Sequence, residues 1–202
     1  MTEIKQNDIT FVVSGPVHEG GIESSHNRPS TFRYSTKEVL QSIRKHYPEA
    51  KILLSTWEGS STQGLEFDQL VLSEDPGSEI EYITKGKIYN INNTRMATSV
   101  YAGLKKVTTK YAVRTRTDIL CINNKMVERY ESLLKQMPLS PNSELKKFKQ
   151  KIMIPNELLS ATVKNMPFFI ADSFNFGLTE DIIKLWEPTY QSLINTQNKD
   201  EK

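Results

Sequence analysis

The sequence predicts an α/β fold in which one domain has a mostly parallel central sheet flanked by helices. Short apolar runs rich in β-branched residues alternate along the chain with amphipathic segments of helical period. The apolar runs are continuous, as is typical of parallel strands that are covered on both faces. The length of 202 residues suits a single domain. We expect this domain to span residues 8–193 and the polar residues 194–202 to form a disordered tail.

The first half of the chain predicts three strands and one helix. The strands are "DITFVVSGPV", which Gly15 and Pro16 end, then "AKILLSTWEG" and "FDQLVLSEDPG". Between the first two strands, "YSTKEVLQSIRKHYP" predicts a helix, because Ser35 and Glu38 have the spacing of a capping box and a proline ends the run. The polar residues 18–30 predict a loop.

The second half predicts three helices and three further strands. "NNTRMATSVYAGLKKV" is a helix with Asn93 as its N-cap, and "KYAVRTRTDILCI" is the fourth strand. "NNKMVERYESLLKQMP" is the third helix, and "TEDIIKLW" opens the last helix with Thr179 as its cap. Between these two helices, "KIMIP" and "MPFFIAD" predict two more strands.

The composition indicates a globular protein, with 25% charged and 37% hydrophobic residues. A net charge of only +2 argues against a dedicated nucleic-acid binder. Cys121 is the only cysteine, so no internal disulfide forms, which fits a reducing compartment. No apolar run suits a signal peptide or a membrane span. We therefore expect a cytoplasmic protein, in peripheral contact with the inner face of the cell membrane or free of it.

The fourth predicted strand carries charges that a dry core would not tolerate without partners. Alternation along a strand places Arg114, Arg116 and Asp118 on one face. Two interpretations stay open. The charges form an internal ion pair that braces the strand, or they lie at the solvent-filled opening of a cleft. In the cleft, the arginines would bind phosphate oxygens, and Asp118 would bind a metal ion or a sugar hydroxyl. Arg95 favours the cleft, because it lies in the first turn of a helix whose N-terminus already attracts anions.

Ligands of open parallel sheets bind beyond the carboxyl ends of the strands, and this rule selects a small set of residues. They are residues 14–17, Trp57, Glu58, Glu74, Asp75, Arg116, Asp118 and Asp172. For Asp172 three interpretations stay open: it is a metal ligand, a general base or a plain turn residue. For Glu58 two interpretations stay open: it hydrogen-bonds a nucleobase or ribose, or it is a solvated acid of a loop. Motifs of dinucleotide redox enzymes, P-loop proteins, serine hydrolases and zincins do not occur.

Five blocks of the sequence together resemble the WavE-type lipopolysaccharide-synthesis family. The blocks are "ITFVVSGPV", "SIRKHYPEAKILLSTWEG", "FDQLVLSEDPG", "NNTRMATSVYAGLKKVTTKYAVRTRTD" and "FFIADSFNFG". They occur in the family's order and cover most of the chain from Ile9 to about Trp186. The resemblance implies a GT-A-like, Rossmann-like glycosyltransferase domain. Such an enzyme takes a nucleotide-sugar donor and a glycan acceptor, and it builds bacterial lipopolysaccharide or capsule.

The resemblance also implies roles for individual residues. In GT-A enzymes an Asp-x-Asp-like motif after the fourth strand binds a metal and the donor diphosphate, and "RTD" stands in that place. Asp118 matches the final aspartate, whereas Arg116 replaces the first. An arginine cannot bind a cation, so a divalent metal (Mn or Mg) at Asp118 stays an open question. Arg95 matches an arginine common in the preceding helix, and Asp172 stands loosely where an acceptor-side catalytic base is expected.

We therefore expect the following donor- and diphosphate-binding residues: Ser14, Gly15, Pro16, Glu58, Arg95, Arg116 and Asp118. Two alternatives to a glycosyltransferase remain. A sugar nucleotidyltransferase shares the α/β layout, but "SGPVHEGG" is too acidic for a triphosphate loop. A non-catalytic nucleotide- or glycan-binding domain of a longer protein is the other alternative.

Overall fold

The structure of the protein is a computed structural model that describes residues 3–25, 28–32, 34–84, 87–138, 147–155 and 173–200. The strands are β1 Ile9–Ser14, β2 Gly21–Ser25, β3 Arg28–Phe32, β4 Lys51–Trp57, β5 Gln69–Ser73, β6 Glu79–Thr84, β7 Lys87–Ile91, β8 Tyr111–Arg116 and β9 Phe174–Leu178. The helices are α1 Thr36–His46, α2 Asn93–Leu104, α3 Met126–Gln136 and α4 Thr179–Asp200.

Five strands form the central sheet, in the order β5-β4-β1-β8-β9. The first four are parallel to one another, and β9 runs antiparallel to β8 at one edge. The predicted α/β class with a mostly parallel sheet flanked by helices is confirmed. Because four strands point the same way, their carboxyl ends and the loops that follow them meet along one edge of the domain.

Alternate residues of the strands build a separate core on each face of the sheet. Phe11 and Val13 of β1 pack in one cluster with buried residues of α1 and α3. Val12, between them, packs in a second cluster with residues of α2 and α4. This alternation explains why the strands read as continuous apolar runs, since both faces are covered.

Two helix starts show how local sequence sets the elements. At α1 the predicted capping box is confirmed: the Ser35 hydroxyl accepts from the Glu38 backbone N–H, and the Glu38 carboxylate accepts from the Ser35 N–H. At α2 the predicted N-cap was wrong by one residue. Asn93 is the first helical residue, and Asn92 is the N-cap without a capping hydrogen bond from its side chain. The side chain of Asn92 therefore satisfies none of the first backbone donors of α2.

Gly103 lets α2 lie close against the sheet. A Cβ atom at this position would stand 2.6 Å from Cγ1 of Val12 and 2.9 Å from Cβ of Ser55. The Ser55 hydroxyl also donates to the Ser99 carbonyl at 2.6 Å, one turn earlier on α2. The close approach fixes the position of α2, and with it the N-terminal turn that carries Arg95.

Some elements differ from the sequence-based predictions. Residues 18–30 contain most of a hairpin, β2 with β3, where a loop was predicted, and β6 with β7 form an unpredicted second hairpin. "KIMIP" makes only a single bridge, between Met153 and Phe176, and not a full strand. "MPFFIAD" lies outside the described residues. Finally, α4 continues to Asp200, so residues 194–200, predicted as a tail, are helical.

Candidate functional site

A cavity of about 490 Å³ lies at the carboxyl ends of the parallel strands. Its walls come from the residues after β1, the end of β4, the loop after β5, the first turns of α2, and the end of β8. The lining residues are Ser14, Gly15, Pro16, Trp57, Asp75, Asn92, Asn93, Arg95, Met96, Ser99, Arg114, Arg116, Thr117 and Asp118. Three guanidinium groups face two carboxylates, so the lining carries one more positive than negative charge.

The turn after β1 needs glycine. Gly15 has a φ of +131°, a backbone conformation that residues with a Cβ atom rarely adopt. A Cβ atom there would also stand 3.1 Å from the Thr117 hydroxyl oxygen. The Gly15 N–H donates to the Ser55 carbonyl at 3.1 Å, which continues the sheet into the turn. The glycine thus brings the β1 turn close to the segment after β8 at the cavity wall.

Arg116 and Asp118 form a forked ion pair at the end of β8. Nε and Nη2 of Arg116 donate to the two carboxylate oxygens of Asp118 at 2.8 and 2.6 Å. The strand ends at Arg116, so Asp118 reaches this position from a turn and not by alternation along the strand. The side chain of Asp118 is 15% exposed and that of Arg116 is 44% exposed. The predicted ion pair and the predicted cleft therefore occur together, since the pair lies on the cavity wall.

Arg95 and Asp75 form a second forked pair across the cavity from α2 to the loop after β5. Nε and Nη2 of Arg95 donate to the two Asp75 oxygens at 2.6 and 2.5 Å. The hydrogen bond from Arg95 lowers the pKa of the Asp75 carboxyl, and the Gly77 N–H adds to this effect against the opposing effect of partial burial. Asp75 is therefore ionised at neutral pH, and its charge is balanced by Arg95.

Arg114 forms part of the cavity wall from inside the protein. Arg114 as a whole is 1% exposed, and its guanidinium carbon lies 5.0 Å from the centre of the Trp186 ring. The Trp186 indole N–H donates to the side-chain oxygen of Asn175, which is the β9 partner of Arg114 in the sheet. Stacking on an aromatic face stabilises a guanidinium that water does not reach. A buried positive charge thus lines the same cavity as the two forked pairs.

The structure brings together most of the residues predicted for the site. Six of them line the cavity: Ser14, Gly15, Pro16, Arg95, Arg116 and Asp118. Glu58 is exposed in the turn after Trp57 and is not among the lining residues. Asp172 lies outside the described residues. Asp75, although it was expected at this edge of the sheet, was not predicted to bind Arg95.

Two carboxylates of the cavity, Asp75 and Asp118, are of the type that binds divalent metal ions. The described residues contain no cluster of three or more His, Cys, Asp or Glu side chains that could hold one. Both carboxylate oxygens of Asp118 accept hydrogen bonds from Arg116, and both oxygens of Asp75 accept from Arg95. Each carboxylate that lines the cavity is therefore engaged by a guanidinium, so a metal ion at Asp118 would have to displace Arg116 from it.

A larger groove of about 870 Å³ lies elsewhere, between α3 and residues 153–155. Its wall combines apolar side chains such as Met126 and Phe174 with the charged side chains of Lys125, Glu128 and Arg129. None of the residues predicted for donor binding lines this groove. The arginines that were predicted to bind phosphate, Arg95 and Arg116, line the smaller cavity.

Comparison with known proteins identifies a family. Residues 9–202 match the family model described as WavE lipopolysaccharide synthesis, which covers every element that lines the cavity. No curated protein matches the sequence. Within the described part of the chain, no helix is both long and apolar enough to span a membrane.

Proposed function

Because the chain belongs to the WavE family of lipopolysaccharide-synthesis proteins, we propose that it is a glycosyltransferase. In this proposal the enzyme moves a sugar from a nucleotide-activated donor to a bacterial surface polysaccharide, which is lipopolysaccharide or capsule. One observation supports the reaction class above all: Arg95, Arg114 and Arg116 converge on one cavity at the carboxyl ends of parallel strands.

The cavity suits a phosphorylated ligand in size and in charge. Its volume of about 490 Å³ falls within the roughly 300–1,000 Å³ of small-molecule sites. Guanidinium forks bind phosphate oxygens through two parallel hydrogen bonds. The N-terminal turn of α2, with Asn92 and Asn93 on the cavity wall, adds the positive end of a helix dipole. Together these groups favour the diphosphate of a nucleotide sugar.

The proposed reaction exchanges one bond at the anomeric carbon of the donor sugar. The bond from this carbon to the phosphate oxygen breaks, and a bond to the acceptor hydroxyl oxygen forms. The leaving nucleoside diphosphate gains negative charge, and stabilisation of such charge often contributes more to catalysis than any other effect. We assign this stabilisation to Arg95 and Arg116. The acceptor proton passes to a carboxylate base, for which Asp172 is our candidate in a reaction that inverts the anomeric centre.

A thermal-shift panel tests the donor site. The wild-type protein is melted with nucleoside mono-, di- and triphosphates and with nucleotide sugars, each with and without Mn²⁺. A ligand that binds only the folded state raises the melting temperature. We expect nucleoside diphosphates and their sugars to raise it without Mn²⁺, and Arg116→Ala to lose the shift. A panel in which no nucleotide shifts the wild-type protein would contradict the proposal.

A product assay separates the reaction classes. A glycosyltransferase consumes the nucleotide sugar and extends the acceptor glycan with release of the nucleoside diphosphate. A sugar nucleotidyltransferase instead releases pyrophosphate from a nucleoside triphosphate. A binding module gives a thermal shift but neither transfer nor hydrolysis. We expect the first result with lipopolysaccharide or capsule fragments as acceptors.

The proposal includes a location at the cytoplasmic face of the membrane. Exposed lysines such as Lys147 suit contact with anionic lipid headgroups. Recovery in the membrane fraction at low salt and release at high salt would support peripheral contact, because such contact is screened by ions.

A further inference from the structure

Arg95 is already bound to a carboxylate at the cavity. Its Nε and Nη2 donate to Asp75, and its Nη1 donates to the side-chain oxygen of Asn92 at 3.4 Å. All three guanidinium nitrogens are thus directed at oxygens of the protein. A phosphate that is to use the same fork has to take the place of Asp75, because the forked geometry for carboxylate and phosphate is the same.

A second pair in the same domain shows how a purely structural Arg–Asp contact is built. Arg44 donates to Asp68 at 2.8 Å and also to the carbonyl oxygens of Pro48 and Ala50 at 3.2 and 2.9 Å. Asp68 in turn accepts from the Ile52 N–H at 2.7 Å. Both partners are therefore fixed to the backbone.

The Arg95–Asp75 pair differs from the Arg44–Asp68 pair on the arginine side. In the described contacts, Arg95 donates only to side chains, whereas Asp75 is fixed to its own loop through the Gly77 N–H at 3.0 Å. Both side chains are about one-third exposed, at 36% and 35%, so water and ligands reach the pair. An ion pair of this kind contributes little to stability and exchanges partners readily.

We propose that Asp75 competes with anions for Arg95 and so weakens the binding of every anion that uses this fork. Inorganic phosphate makes a single contact and stays weakly bound, whereas a ligand that contacts Arg95 and Arg116 together binds despite the competition. The two phosphates of such a ligand are linked, so the second contact forms at a high effective concentration and offsets the loss of the Arg95–Asp75 pair. This inference rests on the proposed function, because it assigns Arg95 to the donor phosphates.

Calorimetric titration with inorganic phosphate and with pyrophosphate tests the competition. We compare the wild-type protein with Asp75→Asn and, as a matched control, with Asp68→Asn in the structural pair. We expect Asp75→Asn to tighten the binding of both anions roughly fivefold, because a competing ion pair of about this strength is removed. Asp68→Asn is expected to leave both affinities unchanged. Unchanged or weaker binding in Asp75→Asn would overturn the inference.

An Arg95→Ala background gives a second, independent measurement. If Asp75 acts by competing for Arg95, Asp75→Asn has no effect on anion affinity once Arg95 is absent. An equal gain in both backgrounds would instead mean a general change in charge and would overturn the inference. Asp75→Ser repeats the test if Asp75→Asn folds poorly, since either side chain can still accept from Gly77.

The failure of this inference is distinguishable from the failure of the proposed function. Pyrophosphate binding that depends on Arg95 but not on Asp75 would leave the donor pocket intact and reject only the role of Asp75. Wild-type protein that binds neither pyrophosphate nor a nucleoside diphosphate would contradict both.

Discussion

Each exposed arginine of the cavity is held by one aspartate, and this pairing determines how the side chains can act. A forked pair fixes the plane of the guanidinium group, so Arg116 is oriented before a ligand arrives. The same pairing lowers the net charge of the site, and under the proposed function this weakens the binding of anions that make only one contact. Under the proposed function, Asp118 therefore orients Arg116.

Arg116→Lys should lower the rate of sugar transfer about 100-fold, because a lysine cannot form the two parallel hydrogen bonds that an arginine forms with a phosphate. Arg129→Lys, an exposed residue of α3 outside the cavity, serves as the matched control and should keep full activity. Both variants are compared by initial rates of acceptor extension and by melting temperature. Wild-type activity in Arg116→Lys would remove the forked contact from the mechanism.

At the scale of elements, the position of α2 connects core packing with the site. Its last turn is held against β1 and β4 through Gly103, and its first turn presents Arg95 to the cavity. A shift of the helix away from the sheet therefore moves Arg95. Even a small displacement of a positioning group can reduce catalysis strongly.

Gly103→Ala should lower the free energy of unfolding by about 1–3 kcal/mol, because the added methyl group overlaps Val12 and Ser55 in a well-packed interface. Gly177→Ala is the matched control. Its Cβ atom would meet Tyr130 and Ile152 at ordinary contact distances of 3.4–3.5 Å. Urea denaturation measures both variants. Equal stability of the two variants would show that α2 adjusts without strain.

The sequence predicted the elements that depend on local pattern. The parallel strands β1, β4, β5 and β8 were predicted from their apolar runs, and α1 from its capping box. The two hairpins and β9 were not predicted. Their short polar or alternating sequences form strands only because a partner strand lies beside them. "FNFGL" of β9 follows a stronger apolar run, "FFIA", for which a strand was predicted and which lies outside the described residues.

The rule that ligands bind at strand ends selected most of the predicted residues that line the cavity, because the rule depends only on topology. The pairing of Arg95 with Asp75 was not predicted, because it joins residues 20 positions apart across a loop and a hairpin. The burial of Arg114 against Trp186 depends likewise on how α4 packs on the sheet. Such contacts are tertiary, and no local pattern encodes them.

For the whole molecule, the Arg44–Asp68 pair connects the end of α1, the start of β4 and the loop before β5. Partial burial raises the pKa of the Asp68 carboxyl, but the hydrogen bonds from Arg44 and from the Ile52 N–H lower it by more. The folded-state pKa is thus below the ordinary value. The contribution to stability is complete above the unfolded-state pKa and is lost as the pH falls through the folded-state pKa.

Asp68→Asn should therefore lower the free energy of unfolding by about 1 kcal/mol at neutral pH, and the difference from wild type should shrink below about pH 4. Urea denaturation at several pH values measures this. Glu66→Gln, an exposed acid in the same loop, is the control and should show no such trend. A difference that stays constant down to about pH 3 would mean that the charge of Asp68 does not carry the effect.

The hydrogen bond from the Ser14 hydroxyl to the Thr115 carbonyl joins residues 101 positions apart in the chain. The cavity wall around it is assembled from such distant segments, which meet only after the central strands have paired. Contacts of large sequence separation form slowly, since a long loop has to close first. A nascent or partly refolded chain therefore lacks the cavity, and under the proposed function the recovery of nucleotide binding during refolding should lag behind the recovery of helix content.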